Sequence, residues 1–425
     1  MSLKIAVIGA GSTYTPELID GFLRRADSLP VDSIYMMDID QHKNTIVSGL
    51  AKRMIAARGL STKLVITSDL EEAITGANYV MAQIRVGKLA ARVLDEKIPL
   101  KYDLLGQETT GVGGFFKALR TIPVMLNIAR TIERLAPKAW LVNFSNPSGI
   151  IAQMLSQETN IPFAGLCNAP IGIARSLREK TKATNLDYDF VGLNHFNWVT
   201  KVRADGKDIF PCPENMDSLK AYGIDDAEWL HLIGGFPSGY LNYYYKRDET
   251  VANCKAQKLS RGEECMEIEE SLLKLYQDES ITEKPALLDK RGGALYSEAA
   301  VSLVDAIEND LGTVHVVNVD HQGVIPFLDA GDIAEVKCRV GKAGPVPMPL
   351  IDENVSEHIV GAVRVVKAYE KLTLKAGLTG DYDTGLAALL THPLVGDYKR
   401  AKGVYDEMLA AHSGYLPQFK KGDCR

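Results

Sequence analysis

Short apolar runs alternate with amphipathic stretches along the first half of the chain. LKIAVIGAG (3–11), SIYMMD (33–38), KLVITSD (63–69), NYVMAQI (78–84), AWLVNFS (139–145) and PFAGLCN (162–168) are rich in aliphatic and β-branched residues. They read as buried strands. Between them, PELIDGFLRRA (16–26) and ALRTIPVMLNIARTIERLA (118–136) carry the 3.6-residue period of helices. The alternation predicts an α/β fold, a parallel sheet with helices on both faces, over residues 1–169.

Beyond residue 169 the pattern changes. WVTKVRADGKDIF (198–210) reads as a hairpin turning at Asp205-Gly206. GEECMEIEESLLKLYQD and DENVSEHIVGAVRVVKAYEKLTLKA read as helices, and GTVHVVNVDH and AEVKCRV as further strands. Residues 170–425 are therefore expected to form a second, mixed α/β domain that binds substrate and carries out the chemistry. The stretch 84–114, IRVGKLAARVLDEKIPLKYDLLGQETTGVGG, is polar and glycine-rich and predicts a loop that closes over a site.

Composition narrows the class of partner. The 425 residues are 46% hydrophobic and 24% charged, ordinary for a globular protein, and carry a net charge of −6. That balance gives no general attraction to nucleic acid or to an anionic membrane. Six cysteines show no CxxC spacing, and MSLKIAVIG runs straight into a strand without a secretory leader, so a cytoplasmic location is expected. Any phosphate on a ligand must be held locally, by arginines or helix ends.

The first strand ends in Gly9-Ala10-Gly11-Ser12 before a helix opening near Thr15-Pro16-Glu17. Two glycines allow a tight turn and close approach of backbone to a pyrophosphate at the helix N-terminus. Tyr14 stands where a third glycine is common. The second strand ends in Asp38, placed to accept hydrogen bonds from ribose hydroxyls and to repel a 2′-phosphate, which favours NAD over NADP. The first domain is thus expected to be Rossmann-like.

Other unusual residues also sit at predicted strand ends. Asn143 and Asn146 close the fifth strand in NFSNPSG, Cys167 the sixth, and His195 closes DFVGLNHFNW. Asn143 suits a local role in satisfying backbone, whereas Asn146 is better aimed into a cleft. A thiolate and an imidazole suit a divalent transition metal with positions left open for substrate oxygens. Either residue alone would read as core, since free cysteines are usually small buried hydrophobes.

Taken together, these segments resemble glycoside hydrolase family 4, the NAD- and metal-dependent glycosidases. The matching blocks are VIGAGS, IRVG, DEKIPLKY, GQETTGVGG, ALRTIP, NFSNPSG, CNAP, GLNHFNW, PSGYLNYYY, TGDYDTGLAALLTHPLV and YLPQF, from residue 5 to about 419. The resemblance implies that Cys167 and His195 hold a divalent metal, usually Mn²⁺. It implies that Arg92 and Asn146 bind substrate and that Tyr240 is the catalytic base. Glu108 is implied to raise the basicity of that tyrosine, and Arg261 to contact substrate at a sugar phosphate. Arg291 is a further basic candidate. Asn168, in Cys-Asn-Ala-Pro, matches the 6-phospho-β-glucosidases of the family, whereas α-type members carry an aspartate there that can protonate a leaving group.

The chemistry so implied is hydrolysis of 6-phospho-β-glucosides by oxidation at carbon 3, proton removal from carbon 2, elimination of the aglycone and addition of water. The family is an exception to the usual two-carboxylate glycosidase scheme. Its expected partners are NAD, a phosphorylated sugar and further copies of the chain, as a homodimer or homotetramer. Two rivals share the fold: a 6-phospho-α-glucosidase of the same family, and a simple NAD-dependent 2-hydroxy acid dehydrogenase. The dehydrogenase would give His195 a use but none to Cys167, Tyr240 or GQETTG. A non-catalytic NAD sensor would need no base at all.

Overall fold

The six apolar runs of the N-terminal half are strands in the computed structural model, which describes residues 3–210, 232–291 and 295–419. They are β1 (Lys4–Ile8), β2 (Ser33–Met37), β3 (Lys63–Thr67), β4 (Tyr79–Ala82), β5 (Trp140–Asn143) and β6 (Phe163–Gly165). All pair in parallel, in the order β3-β2-β1-β4-β5-β6. This is the dinucleotide-binding order, and the chain reverses direction across the sheet between β1 and β4. Ile5, Ala6, Val7, Val80, Met81, Leu141 and Val142 are fully buried, as expected for strands covered on both faces.

The second half supplies strands of two kinds. β7 (Leu186–Leu193), β8 (Phe196–Ala204), β9 (Lys207–Phe210) and β10 (Phe236–Pro237) form a separate antiparallel sheet, with the β8–β9 turn at Asp205-Gly206. β11 (Thr313–Asp320), β12 (Ile333–Gly341) and β13 (Gly344–Pro347) instead extend the first sheet to nine strands. They do so antiparallel, and β11 meets β6 through one register pair, Asn318 with Gly165. The two halves of the chain therefore share a sheet as well as an interface. Among the described residues no helix is long and apolar enough to cross a membrane.

The expected loop at 84–114 is largely helix. Residues Lys88–Leu100 form one helix, and Gly111 opens another that runs to Leu135. Its charges are consumed inside the fold: Arg120 grips Asp95 through two nitrogens at 2.9 and 2.6 Å, and Arg92 binds Glu96 at 2.7 Å. The glycines serve close packing rather than mobility. A Cβ on Gly113 would stand 2.1 Å from the Gln107 carbonyl oxygen.

Pro123 lies inside the Gly111–Leu135 helix and has no N–H for the Leu119 carbonyl. Gln418, from the YLPQF block, donates its amide to that oxygen at 2.9 Å. Gln418→Ala is expected to lower stability by about 1 kcal/mol, the usual net contribution of such a bond. A urea titration monitored by circular dichroism reads this, and an unchanged midpoint would remove the explanation.

Candidate active site

The Gly9–Tyr14 turn crosses the carboxyl end of β1 and leads into the helix Thr15–Arg24. Gly9 has φ +88°, and a Cβ there would come within 2.8 Å of the Gln83 carbonyl oxygen on the neighbouring strand end. Asp38 stands at the end of β2, where its carboxylate accepts the Gly11 N–H at 2.8 Å and the Asp40 N–H at 2.8 Å. A carboxylate offers about four acceptor sites, so capacity remains for hydroxyls. Ser12 accepts the Tyr14 N–H through its hydroxyl. Lys88, at the start of its helix, pairs with Asp40 at 2.7 Å and feels the charge of Asp38. The crevice has the glycine turn, helix start and acidic strand end that a dinucleotide requires.

Beside it lies a cluster drawn from both halves of the chain. Cys167 follows β6 and is buried. The backbone N–H groups of Asn168 and Ala169 and the side chain of Asn194 point at its sulfur. Burial pushes its thiol above the usual range. His195 reaches the same region from the tight turn joining β7 to β8, with φ +62°. It is at a strand end as expected, but of the antiparallel sheet, not on the parallel rim. The sequence pattern could not distinguish these because both strands are apolar and end in polar residues.

Burial, then the nearby Lys117, brings His195 down to about 3, so its ring is neutral at neutral pH. Its Nδ1 is buried without a hydrogen-bond partner. A buried polar atom in that condition is costly unless a ligand completes it. A thiol and an orphaned neutral imidazole fit a divalent metal. Among the described residues no group of three or more His, Cys, Asp or Glu side chains could hold one.

Tyr240 sits on the short 3₁₀ turn Gly239–Leu241 after β10 and stacks on the His195 ring, centroids 4.0 Å apart and 20° from parallel. Burial raises its phenol well above the ordinary range, and the neighbouring Cys167, Tyr243 and Glu108 raise it further. Asn146, at the end of the β5 segment, has a buried and unpartnered Oδ1. Asn143 is satisfied locally, exchanging hydrogen bonds with Ser145. Asn168 is half-buried and precedes the helix Ala169–Thr181.

Glu108 lies among three cations. Arg85 bonds it, Lys117 stands at 3.0 Å and Arg92 at 3.0 Å. Burial opposes its charge, yet Arg85, Lys117 and Arg92 hold its carboxyl well below the usual range. Burial and the Arg85 charge bring Lys117 down to about 7. Arg92 is 7% exposed and committed to Glu96 and Glu108. Arg261 is turned toward Glu264 and the Lys290 carbonyl, 2.9 and 2.8 Å away. The N–H of the adjacent Gly262 donates to Glu96, which ties this helix start to the Arg92 pair. Arg291 is largely buried near Arg85 and Arg92, and its Nε has no partner.

Two residues of this cluster escaped the sequence reading. Lys117 stands alone between apolar neighbours in GVGGFFKALR, and Glu335 stands in the buried strand IAEVKCRV. A charge set between apolar neighbours was the available signal for both. Glu335 is fully buried and accepts from Asn194 at 3.1 Å, Asn318 at 3.1 Å and Asn197 at 2.7 Å. Burial lifts its carboxyl to about 7.

A dinucleotide crevice opening onto a buried thiol and imidazole and a half-buried phenol is the architecture of an enzyme. The profile of the family 4 glycosyl hydrolases matches residues 4–183, and that of the family's C-terminal domain matches residues 190–395. The chain is 42% identical to a Bacillus subtilis protein named probable 6-phospho-beta-glucosidase, over 98% of each. It is 30% identical to 6-phospho-alpha-glucosidase 1 of Lacticaseibacillus paracasei, over 98% of this chain and 99% of that one. The 6-phospho-beta glucosidase of Thermotoga maritima, solved with manganese, NAD⁺ and glucose-6-phosphate, superposes with a TM-score of 0.89 at 35% identity, covering 97% of this chain and 99% of that one. Malate dehydrogenase of Plasmodium falciparum, at 13% identity and a TM-score of 0.52 over 88% of this chain and 98% of that one, shares the fold alone. The chain belongs to family 4 of the glycosyl hydrolases. It is a glycosidase.

Proposed function

We propose that this enzyme hydrolyses 6-phospho-β-glucosides to glucose 6-phosphate and an aglycone, with NAD⁺ and a divalent metal, Mn²⁺ by preference. The observation that carries the reading is the meeting of Cys167, the unpartnered His195 Nδ1 and the stacked Tyr240 beside the Gly9–Ser12 crevice. When bound, NAD⁺ would supply a hydride acceptor and donor, and a divalent ion held by Cys167 and His195 would supply Lewis acidity toward substrate oxygens.

The chain's own residues do the rest. Gly9, Gly11, Ser12 and Asp38 hold the dinucleotide, and Cys167 and His195 hold the ion. Tyr240 removes the carbon-2 proton once carbon 3 is a ketone, and the bonding pair expels the glycosidic oxygen from carbon 1. Its phenolate needs positive charge nearby, because burial in the protein alone disfavours it. Glu108, whose charge raises the basicity of that phenol, is itself held by Arg85, Arg92 and Lys117. Arg92 and Asn146 orient the sugar, and Arg261 holds the 6-phosphate. Asn168 has no proton acidic enough to assist the leaving group, which supports the β-type over the α-type reading. The chain works as a homodimer or homotetramer.

A panel of chromogenic glucosides tests this: α and β, with and without the 6-phosphate, each with and without NAD⁺ and Mn²⁺. Turnover of the phosphorylated β-form, dependent on both additions, is expected. Preference for the α-anomer, or equal catalytic efficiency on unphosphorylated sugar, would overturn it. Arg261→Ala is expected to lower kcat/KM on the phosphorylated substrate by about 10–100-fold, since charge-assisted bonds to phosphate are among the stronger ones. An unchanged kcat/KM would take Arg261 out of the site.

A further inference from the structure

Glu335 sits on β12, opposite Asn318 on β11 and far in sequence from Asn194 and Asn197, and these three asparagine amides converge on it. Asn194 donates to Oε1 at 3.1 Å, and Asn197 donates to Oε2 at 2.7 Å and to the Leu193 carbonyl at 3.1 Å. Asn194 precedes His195 in the β7–β8 turn, and Asn197 follows it on β8. Asn318 donates to Oε1 at 3.1 Å and to the Gly165 carbonyl at 3.3 Å, near the end of the strand that leads to Cys167.

Asn194 is fully committed. Its Oδ1 accepts the Ser148 N–H at 3.1 Å, while its amide serves both Glu335 and the Cys167 sulfur. A carboxylate accepts without donating, so it satisfies three amides at once where a neutral amide side chain could not do so without reorienting them. Among the described residues no Lys, Arg or His is ion-paired with Glu335: Lys337, two residues along β12, pairs with Asp187, and Lys367 is spent on Glu370. A fully buried carboxylate without a cationic partner is costly to keep charged.

We propose that Glu335 is a positioning residue for the metal seat: it fixes Asn194 and Asn197 on either side of His195, aligns Asn194 on Cys167, and offers negative charge that a divalent cation between them balances. The inference rests on the reading of Cys167 and His195 as the residues that hold the ion. Outer partners of this kind typically set metal affinity within about 10–100-fold.

Mn²⁺ binding to the full chain is measured by paramagnetic resonance of free Mn²⁺ for the unaltered protein, Glu335→Gln and Cys167→Ser. Thermal midpoints in chelator and NAD⁺ affinity are recorded alongside. Glu335→Gln is expected to keep its chelator midpoint and NAD⁺ affinity while its Mn²⁺ Kd rises about 10–100-fold. An unchanged Mn²⁺ Kd in Glu335→Gln, with binding lost in Cys167→Ser, overturns the inference alone. Unaltered binding in Cys167→Ser overturns the metal seat itself. Should Glu335→Gln fail to fold, Glu335→Asp, which keeps the charge but withdraws it by one carbon, decides the matter. Weakened Mn²⁺ binding by a folded Glu335→Asp supports the positioning role. Unweakened binding, or failure to fold again, marks Glu335 as a folding residue and overturns the proposal.

Discussion

Tyr240→Phe is expected to lose about 10²–10⁴-fold in kcat, the typical contribution of a positioned base, with NAD⁺ and Mn²⁺ affinities unchanged. The substitution removes one hydroxyl and leaves the ring that stacks on His195 at 4.0 Å, so the neighbouring imidazole keeps its support. A purely packing tyrosine would tolerate the change, and here three more tyrosines follow at 243–245 to make that alternative serious. Tyr244 already has such a place, with its hydroxyl 2.6 Å from Thr110. The chemical signature separates the two. Reaction in heavy water is expected to place deuterium at carbon 2 of the glucose 6-phosphate, and substrates deuterated at carbon 2 or carbon 3 should turn over more slowly. Retention of kcat within a few-fold in Tyr240→Phe, or product free of deuterium, would return the enzyme to direct displacement.

Cys167→Ser is expected to weaken Mn²⁺ binding by more than about 100-fold, beyond the loss that outer partners alone produce, and to abolish turnover. Serine fits the space and can still accept the Asn168 and Ala169 N–H groups, so the fold has no reason to fail. What it lacks is a soft anionic donor, since a hydroxyl does not become an alkoxide in this setting as a coordinated thiol becomes a thiolate. Thermal unfolding in chelator should therefore give matching midpoints for the two proteins, and only the unaltered one should gain stability when Mn²⁺ is added. Full activity of the variant in chelator-treated buffer would exclude the thiol from the metal seat.

The parallel half of the sheet was legible because its strands are buried on both faces and so appear as unbroken apolar runs, as in KIAVI and YVMA. The hairpin at Asp205-Gly206 was legible because turn chemistry is local. Local pattern does not record which edge a distant strand will join. GTVHVVNVDH and AEVKCRV were recognisable as strands, while their attachment beside β6 depends on Asn318 meeting Gly165 across the chain. The helix Lys88–Leu100 was hidden for a related reason. Its charged residues resemble a solvated loop until Asp95, Glu96, Arg92 and Arg120 are seen to neutralise one another in the interior. Glu335 went unnoticed because Asn194 and Asn197 are remote from it in sequence, and Lys117 because its pairing with Glu108 crosses from a loop into a helix, which local periodicity does not record.

The single register pair between β6 and β11 bears on how the polypeptide reaches this state. During synthesis the six parallel strands emerge first, and β6 remains an open edge until residues 313–320 leave the ribosome. An unpaired edge of that kind is a template for intermolecular pairing, and late closure by a distant strand is slow because the intervening chain must first be brought round. Cys167 lies just beyond that edge, after Leu166, so the interval before closure is also the period in which this thiol lies open to oxidation or to the wrong metal. Assembly of the nine-stranded sheet thus sets the moment at which the catalytic centre becomes chemically private.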